Sequence, residues 1–360
     1  MKYKKVIIKI GTSALAKNGS IDDAIIENIA SEISMLLEEN IKVVLVSSGA
    51  IGAGLGLLGL KKRPASLSEL QAIAAVGQNE LMRFYSQTFK KRGYVVGQVL
   101  LTQEDFSDRR RYLNIKYTLD TLISKKIIPI VNENDTVSTE EIKCGDNDRL
   151  SSLVADLLGA DALVILTDVD GFYDKEGKVM PLIQEVTGSI KKMIENKATD
   201  FTKGGMATKI EAAERAIHSG IDCYIANGKK TGIIKNALLG KATCTYFKAK
   251  PIKEKAKKRW IAYSSKIKGK IIIDDGARDA LLKRQKSLLA SGIVGKDGNF
   301  KAGEVVTICD SKKNELARGL TSYSSKEIER IKGLKTAEIE KMLGYKDHDE
   351  VVHRDNLVIL

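Results

Sequence analysis

The chain has 360 residues and a mass of 39.4 kDa, more than one core of ordinary size fills, so two domains of unequal size are expected. With 43% hydrophobic and 29% charged residues it is neither disordered nor fibrous. Its longest weakly polar run, the twelve residues Gly49 to Leu60, falls short of the roughly 20 that span a bilayer. The net charge of +13 is concentrated, since Lys248 to Lys270 holds ten Lys and Arg against one acid, Glu254.

The N-terminus, Met1-Lys2-Tyr3-Lys4-Lys5, passes straight into an apolar run without the features of a signal peptide, which predicts a cytoplasmic protein. Strands are expected at Val6 to Ile10, Val43 to Val46, Val95 to Leu101, Ile127 to Val131, Ala162 to Leu166 and Cys223 to Ala226. Their continuous apolar character predicts burial on both faces, hence a largely parallel sheet. Helices are expected at Asp22 to Glu39, Leu67 to Lys91 and Ala207 to His218, the last closed by Gly220. This alternation is the mark of α/β layering. Past the Lys-rich stretch the pattern changes to short β-like runs, Ile271 to Ile273, Gly292 to Val294 and Val305 to Ile308, which predict a small β-rich barrel or sandwich.

Four cysteines, Cys144, Cys223, Cys244 and Cys309, are scattered without a CxxC pair or a histidine at zinc-ligand spacing, and are expected to be buried thiols. Only His218, His348 and His353 are present, so a histidine-based nucleophilic mechanism has few candidates for its base. Gly54, Gly56 and Gly59 match GxGxxG formally, but too far beyond a strand end for a dinucleotide turn. No GxxxxGK[ST] is present. His353-Arg354-Asp355 is a chance match to a kinase motif, with no chain left for an activation segment.

Glycine-rich turns follow three strands directly: Lys9-Ile10-Gly11-Thr12-Ser13, Ser47-Ser48-Gly49-Ala50 and Thr167-Asp168-Val169-Asp170-Gly171. In a parallel sheet such turns gather at the carboxyl ends of the strands, where exposed amides cradle phosphate. Lys9 lies inside an apolar run, where an ammonium must meet an anion or snorkel to solvent. Lys209 follows Gly204-Gly205 near a helix start, either beside a bound anion or as a solvated helix lysine. Asn132-Glu133-Asn134-Asp135 and Gly145-Asp146-Asn147-Asp148 can bind an ammonium group, orient lysines or hold a metal. They serve equally well as turns, with Asn147 or Asp148 capping the helical run Leu150 to Leu158.

Taken in order, Lys-Ile-Gly-Thr-Ser, Ser-Ser-Gly-Ala-Ile, Asn-Glu-Asn-Asp, Gly-Asp-Asn-Asp, Leu-Thr-Asp-Val-Asp-Gly and Gly-Gly-Met-Ala-Thr-Lys, between Lys9 and Lys209, resemble the motif series of the glutamate 5-kinase branch of the amino acid kinase family. Asp275-Gly276-Ala277, Lys286-Ser287-Leu288-Leu289, Gly292-Ile293 and Gly298-Asn299-Phe300 with Gly303-Glu304-Val305-Val306 resemble a PUA domain, an RNA-binding module. The resemblance implies a three-layer αβα sandwich over residues 1–250, a basic linker over 251–269 and a PUA domain over 270–360. It departs at Lys203 and Ala207, where the family carries threonine and often serine, and at Phe172 to Lys178, which lacks an Asp-Pro.

The activity implied is transfer of the ATP γ-phosphoryl group to the side-chain carboxylate of L-glutamate, the first step towards proline. Lys9 and Lys209 would contact the transferring group and Asp148 would orient them. Ser48, Asp135 and Asn147 would hold glutamate, with Asp135 on its α-ammonium. Thr167 and Asp168 would lie by the nucleotide, Gly204, Gly205 and Met206 would close over its phosphates, and the amides of Gly11 and Gly49 would assist there. Mg2+ would ride on ATP oxygens with no assigned protein ligand. The resemblance also implies proline as a feedback inhibitor, subunit association and RNA contact through the PUA domain. Rival readings are another carboxylate kinase of the fold, acting on aspartate or N-acetylglutamate, and an RNA-binding protein. Residues 270–360, with 17 basic and 15 acidic side chains, carry little charge for a phosphate-binding face.

Overall fold

A computed structural model describes residues 1–17, 20–138, 146–196, 203–250, 260–264 and 267–360. Cys144, Gly145 and most of the basic linker lie outside the described residues. The chain divides into two compact units, Met1–Asp105 with Arg109–Ile252, and Phe106–Asp108 with Lys253–Leu360.

The first unit contains, in chain order, β1 (Lys5–Ile10), α1 (Thr12–Leu15), β2 (Ala16–Lys17), β3 (Ser20–Ile21), α2 (Asp23–Glu38), β4 (Lys42–Ser47), α3 (Ala50–Leu57), α4 (Leu67–Lys90), β5 (Val96–Leu101), a short 3-10 turn and α5 (Arg109–Ser124). It continues with β6 (Ile128–Glu133), α6 (Asp146–Leu158), β7 (Ala162–Thr167), β8 (Leu182–Ile183), α7 (Gly188–Asn196), α8 (Lys203–His218), β9 (Asp222–Asn227), α9 (Ile233–Leu238) and β10 (Thr245–Phe247). The main sheet runs β5-β6-β4-β1-β7-β9-β10-β8. Every pair from β5 to β9 is parallel, and β10 pairs antiparallel with β9.

The expected strands are all present, but β5 is not buried on both faces. It lies at the sheet edge and most of its residues are only half-buried, because an edge strand has a neighbour on one side alone. Helix α8 begins at Lys203 rather than near Ala207, so Gly204, Gly205 and Met206 occupy its first turn. Gly220, with φ +73°, closes it as expected.

Alternation along β1 decides which groups reach the site. Val6, Ile8 and Ile10 join Val43, Leu45, Val164 and Leu166 in one core with α2, α4 and α9. Ile7 and Lys9 therefore face the opposite side, where α6 and α8 pack on each other and on the sheet. Because β4 lies on one side of β1 and β7 on the other, the chain reverses direction of winding there. That switch point at the carboxyl ends of the strands is where α/β sheets bind ligands.

Of the glycines in the formal GxGxxG match, Gly54 serves packing, together with Gly77 on α4. A Cβ on Gly54 would lie 2.1 Å from the Ile73 carbonyl oxygen, and one on Gly77 would lie 1.8 Å from that of Ala50, so α3 and α4 cross in direct backbone contact. Cys223, Cys244 and Cys309 are buried free thiols.

The second unit contains a five-stranded sheet ordered β12-β11-β13-β14-β15, where β11 is Gly269–Ile273, β12 Ile293–Gly298, β13 Val305–Cys309, β14 Glu315–Leu320 and β15 Leu357–Ile359. β11 pairs parallel with β13 and the remaining pairs are antiparallel. Ile271, Phe300, Ile308, Tyr323, Ile328 and Val352 belong to its own core, which makes it the small β-rich unit expected. No helix among the described residues is long and apolar enough to cross a membrane.

Candidate active site

Lys9 stands one residue from the end of β1, hydrogen-bonded in the sheet between β4 and β7, and only 3% of it is exposed. Its ammonium does not snorkel. Nζ lies 2.6 Å from Oδ1 of Asp148, in the first turn of α6. Asp148 has no exposed surface, and its second oxygen lies 3.3 Å from Nζ of Lys209 and accepts a 2.8 Å hydrogen bond from Thr208 Oγ1. Lys209, 8% exposed, also donates to the Gly205 carbonyl at 2.8 Å, so its side chain turns back to the start of α8.

Neither alternative reading of these residues holds. Helix α6 begins at Asp146, which places Asn147 and Asp148 inside it rather than at a cap, and Asp148 spends its carboxylate on two lysines and a threonine. Burial alone would raise the Asp148 carboxyl, but Lys9 and Lys209 with their hydrogen bonds outweigh it and hold the group below its usual range. Two ammoniums around one carboxylate give the trio a formal charge of +1 in a buried site. Such a cluster is suited to receive an anion.

Gly11 follows β1. Its N–H donates to the Leu166 carbonyl at 3.1 Å, so this amide is engaged within the sheet rather than turned towards a ligand. A Cβ there would lie 3.2 Å from Nζ of Lys9, so the missing side chain leaves room for the ammonium. Gly49, at φ +108°, is the N-cap of α3, a conformation that glycine adopts without strain. Thr167 ends β7, buried, and its Oγ1 donates to the exposed Asp168 carboxylate at 3.1 Å. Gly204 and Gly205, in the first turn of α8, belong to the stretch whose amides lack intrahelical acceptors, and Met206 follows them.

A second cluster is built from amides. Asn147 Nδ2 donates to Ser48 Oγ at 3.1 Å and to Asn132 Oδ1 at 2.9 Å. The Glu133 backbone N–H donates to Asn132 Oδ1 at 2.9 Å and to Asn147 Oδ1 at 3.2 Å. Asn132 Nδ2 in turn donates to Gln78 Oε1 at 2.7 Å. Asp135 sits half-buried in the turn after β6, two residues beyond Glu133. Ser48 and Asn147 are thus in direct contact, and Asn147 adjoins Asp148 in sequence, which brings the amide cluster up to the lysines.

Three members of this site were not among the expected residues. Thr208 and Asn132 lie within motifs already noted, while Gln78 stands on α4, whose amphipathic spacing carries no sign of a site. No group of three His, Cys, Asp or Glu side chains among the described residues could hold a metal ion, and both oxygens of Asp148 are occupied by lysines.

Residues 4–227 match the profile of the amino acid kinase family, and residues 269–343 match that of the PUA domain. The glutamate 5-kinase of a Thermoanaerobacter species is 47% identical over 99% of this chain and 98% of its own length. That of Caldanaerobacter subterraneus is 45% identical over 99% and 98%, and that of Geobacter sulfurreducens 42% identical over 100% and 98%. Carbamate kinase from Giardia lamblia bound to AMP-PNP shares the fold at 17% identity and a TM-score of 0.50, covering 69% of this chain and 99% of that one. The chain belongs to the amino acid kinase family through residues 4–227, carries a PUA domain at residues 269–343, and over 99% or more of its length is similar to relatives named glutamate 5-kinase.

Proposed function

We propose that this protein transfers the γ-phosphoryl group of ATP to the side-chain carboxylate of L-glutamate, giving L-glutamyl 5-phosphate and ADP. The observation that carries the reading is the buried trio in which Asp148 holds Lys9 at 2.6 Å and Lys209 at 3.3 Å. In the reaction a carboxylate oxygen of glutamate bonds to the γ-phosphorus as the bond from that phosphorus to the β-phosphate bridging oxygen breaks, and the electron pair leaves on ADP. The attacking oxygen is already anionic, so no base is required, in keeping with a trio that contains no histidine. What remains is to bring two anions together and neutralise the charge that spreads over the transferring group.

Lys9 and Lys209 supply that neutralisation, and Asp148, paired with both, aims their ammoniums. Ser48 and Asn147 hold glutamate, and Asp135 takes its α-ammonium. Thr167 and Asp168 bind the nucleotide, Gly49 and the first turn of α8 with Gly204, Gly205 and Met206 bind its phosphates, and Gly11 makes room for Lys9. Mg2+ bound to ATP oxygens would add to the charge neutralisation that Lys9 and Lys209 supply, and no residue of this chain is assigned to hold it.

The organisation we propose is a catalytic domain over 1–250, a basic linker over 251–269 and a PUA domain over 270–360, in a cytoplasmic homo-oligomer that proline inhibits in competition with glutamate. RNA contact through the PUA domain belongs to the same proposal. Hydroxylamine trapping with ATP and Mg2+ tests the substrate, with L-glutamate run beside aspartate, N-acetylglutamate and glutamine. Hydroxamate from glutamate alone is the expected result. Turnover of another carboxylate in its place would overturn the assignment of Ser48, Asp135 and Asn147.

A further inference from the structure

The orientation of the amide cluster follows from one group that can only donate. The backbone N–H of Glu133 points at Asn132 Oδ1, so the carbonyl end of the Asn132 side chain is identified, and its Nδ2 must face Gln78. That Nδ2 donates to Gln78 Oε1 at 2.7 Å, which in turn fixes the carbonyl end of Gln78 and turns its Nε2 away. Gln78 Nε2 is buried and has no hydrogen-bond partner among the described residues. A buried amide carrying two unspent N–H donors is costly and calls for an acceptor.

We infer that Gln78 binds the α-carboxylate of the substrate through Nε2 and so selects amino acids whose α-carboxyl group is free. The inference rests on the proposed phosphorylation of glutamate and deepens it. Of the three charged groups of glutamate, the side-chain carboxylate belongs beside Lys9 and Lys209, and the α-ammonium beside an anion. The α-carboxylate is left, and it needs donors from a neutral surface. The amide cluster supplies them: Ser48 Oγ accepts from Asn147 and so keeps its own hydrogen to donate, while Gln78 offers Nε2. The chain Glu133–Asn132–Gln78 is a relay that holds this donor in one orientation, because flipping any one amide would oppose like ends along it.

The test compares full-length wild type with Gln78→Glu and Gln78→Met, using L-glutamate and its α-amide, in which the α-carboxylate is a carboxamide. KM for each acceptor, kcat, KM for ATP and the melting temperature are measured. Gln78→Glu retains the oxygen that Asn132 binds but replaces the donor with a charge that repels a carboxylate. KM for glutamate should rise roughly 10-fold in Gln78→Met and about 100-fold in Gln78→Glu, the range of a hydrogen bond to a charged group. KM for ATP and kcat should stay within about threefold. Preference for glutamate over its α-amide should fall at least about tenfold in Gln78→Glu.

Glutamate KM values within twofold of an active wild type in both variants would overturn the inference while leaving the proposed reaction intact. So would an equal loss in kcat and in both KM values accompanied by a lower melting temperature, since that marks a structural role. A wild type that traps no hydroxamate from glutamate would overturn the reaction itself and the inference with it.

Discussion

The Cβ that Gly11 lacks would stand 3.2 Å from the ammonium nitrogen of Lys9. Glycine is favoured here by the neighbouring side chain and not by a turn conformation, since Gly11 is not among the glycines with positive φ. Gly11→Ala should push the Lys9 ammonium away from Asp148 without unfolding the protein. The shift needed is only a few tenths of an ångström, less than the roughly 1 Å misplacement that costs about 100-fold in rate, so kcat should fall by about 3- to 10-fold while the melting temperature changes little. Unaltered kcat in Gly11→Ala would show that Lys9 tolerates the methyl group.

Asp148→Asn should uncouple stability from catalysis in a way that ATP reverses. With its carboxylate gone, two ammoniums remain buried together, and breaking a buried pair from one side costs about 3 to 5 kcal/mol. Added ATP with Mg2+ restores an anion beside the lysines, so the variant should gain more in melting temperature from nucleotide than the wild type does. Calorimetry with and without nucleotide measures the difference, and equal gains would count against the trio as an anion site.

The same residue predicts a pH dependence. Asp148 is held below its usual range in the folded protein, where the lysines overcome burial, and the unfolded value is about 3.9. Its contribution is therefore full above that value and is lost as pH falls through the lower folded value. Unfolding curves of wild type and Asp148→Asn should differ most near neutrality and converge on acidification below about pH 4. A gap that widens with acid would reverse the assignment.

Gly77→Ala tests the contact that seats α3. The new Cβ would lie 1.8 Å from the Ala50 carbonyl and 2.3 Å from the Gly54 nitrogen, backbone atoms that move only with the whole helix. Overpacking of this kind destabilises by about 1 to 3 kcal/mol or more. Because α3 begins two residues after Ser48, the displaced helix should also raise KM for glutamate. Gly52→Ala is the control, since its Cβ would meet only Thr12 Cγ2, at 3.8 Å, and should be tolerated. Equal stability of the two variants would contradict the close crossing.

Lys9 was only half legible in the sequence, because a charge inside an apolar strand either meets an anion or snorkels to solvent, and its burial against Asp148 decides for the anion. Asp148 itself was ambiguous, since an acid at the start of a helix reads equally as a cap, and only the approach of α8 to α6 decides between the two. The start of α8 was missed for a related reason: glycines depress helix propensity, yet Gly204 and Gly205 lie within its first turn. Gln78 was not legible at all. Its Oε1 meets Asn132 across 54 residues of sequence, and nothing in the spacing of α4 distinguishes it from a surface glutamine. The buried central strands were evident from composition, whereas the half-buried character of β5 depends on strand order, which composition does not carry.

The central claim is that Lys9 and Lys209 act on the transferring phosphoryl group more than on bound ATP. Steady-state kinetics of Lys9→Met and Lys209→Met, with L-glutamate and MgATP both varied, test it most directly. The account predicts a loss of at least about 100-fold in kcat for each, the magnitude of one electrostatic contact in a transition state, with a smaller change in KM for ATP. A kcat within a few-fold of wild type in either variant, with ATP affinity lost instead, would contradict it.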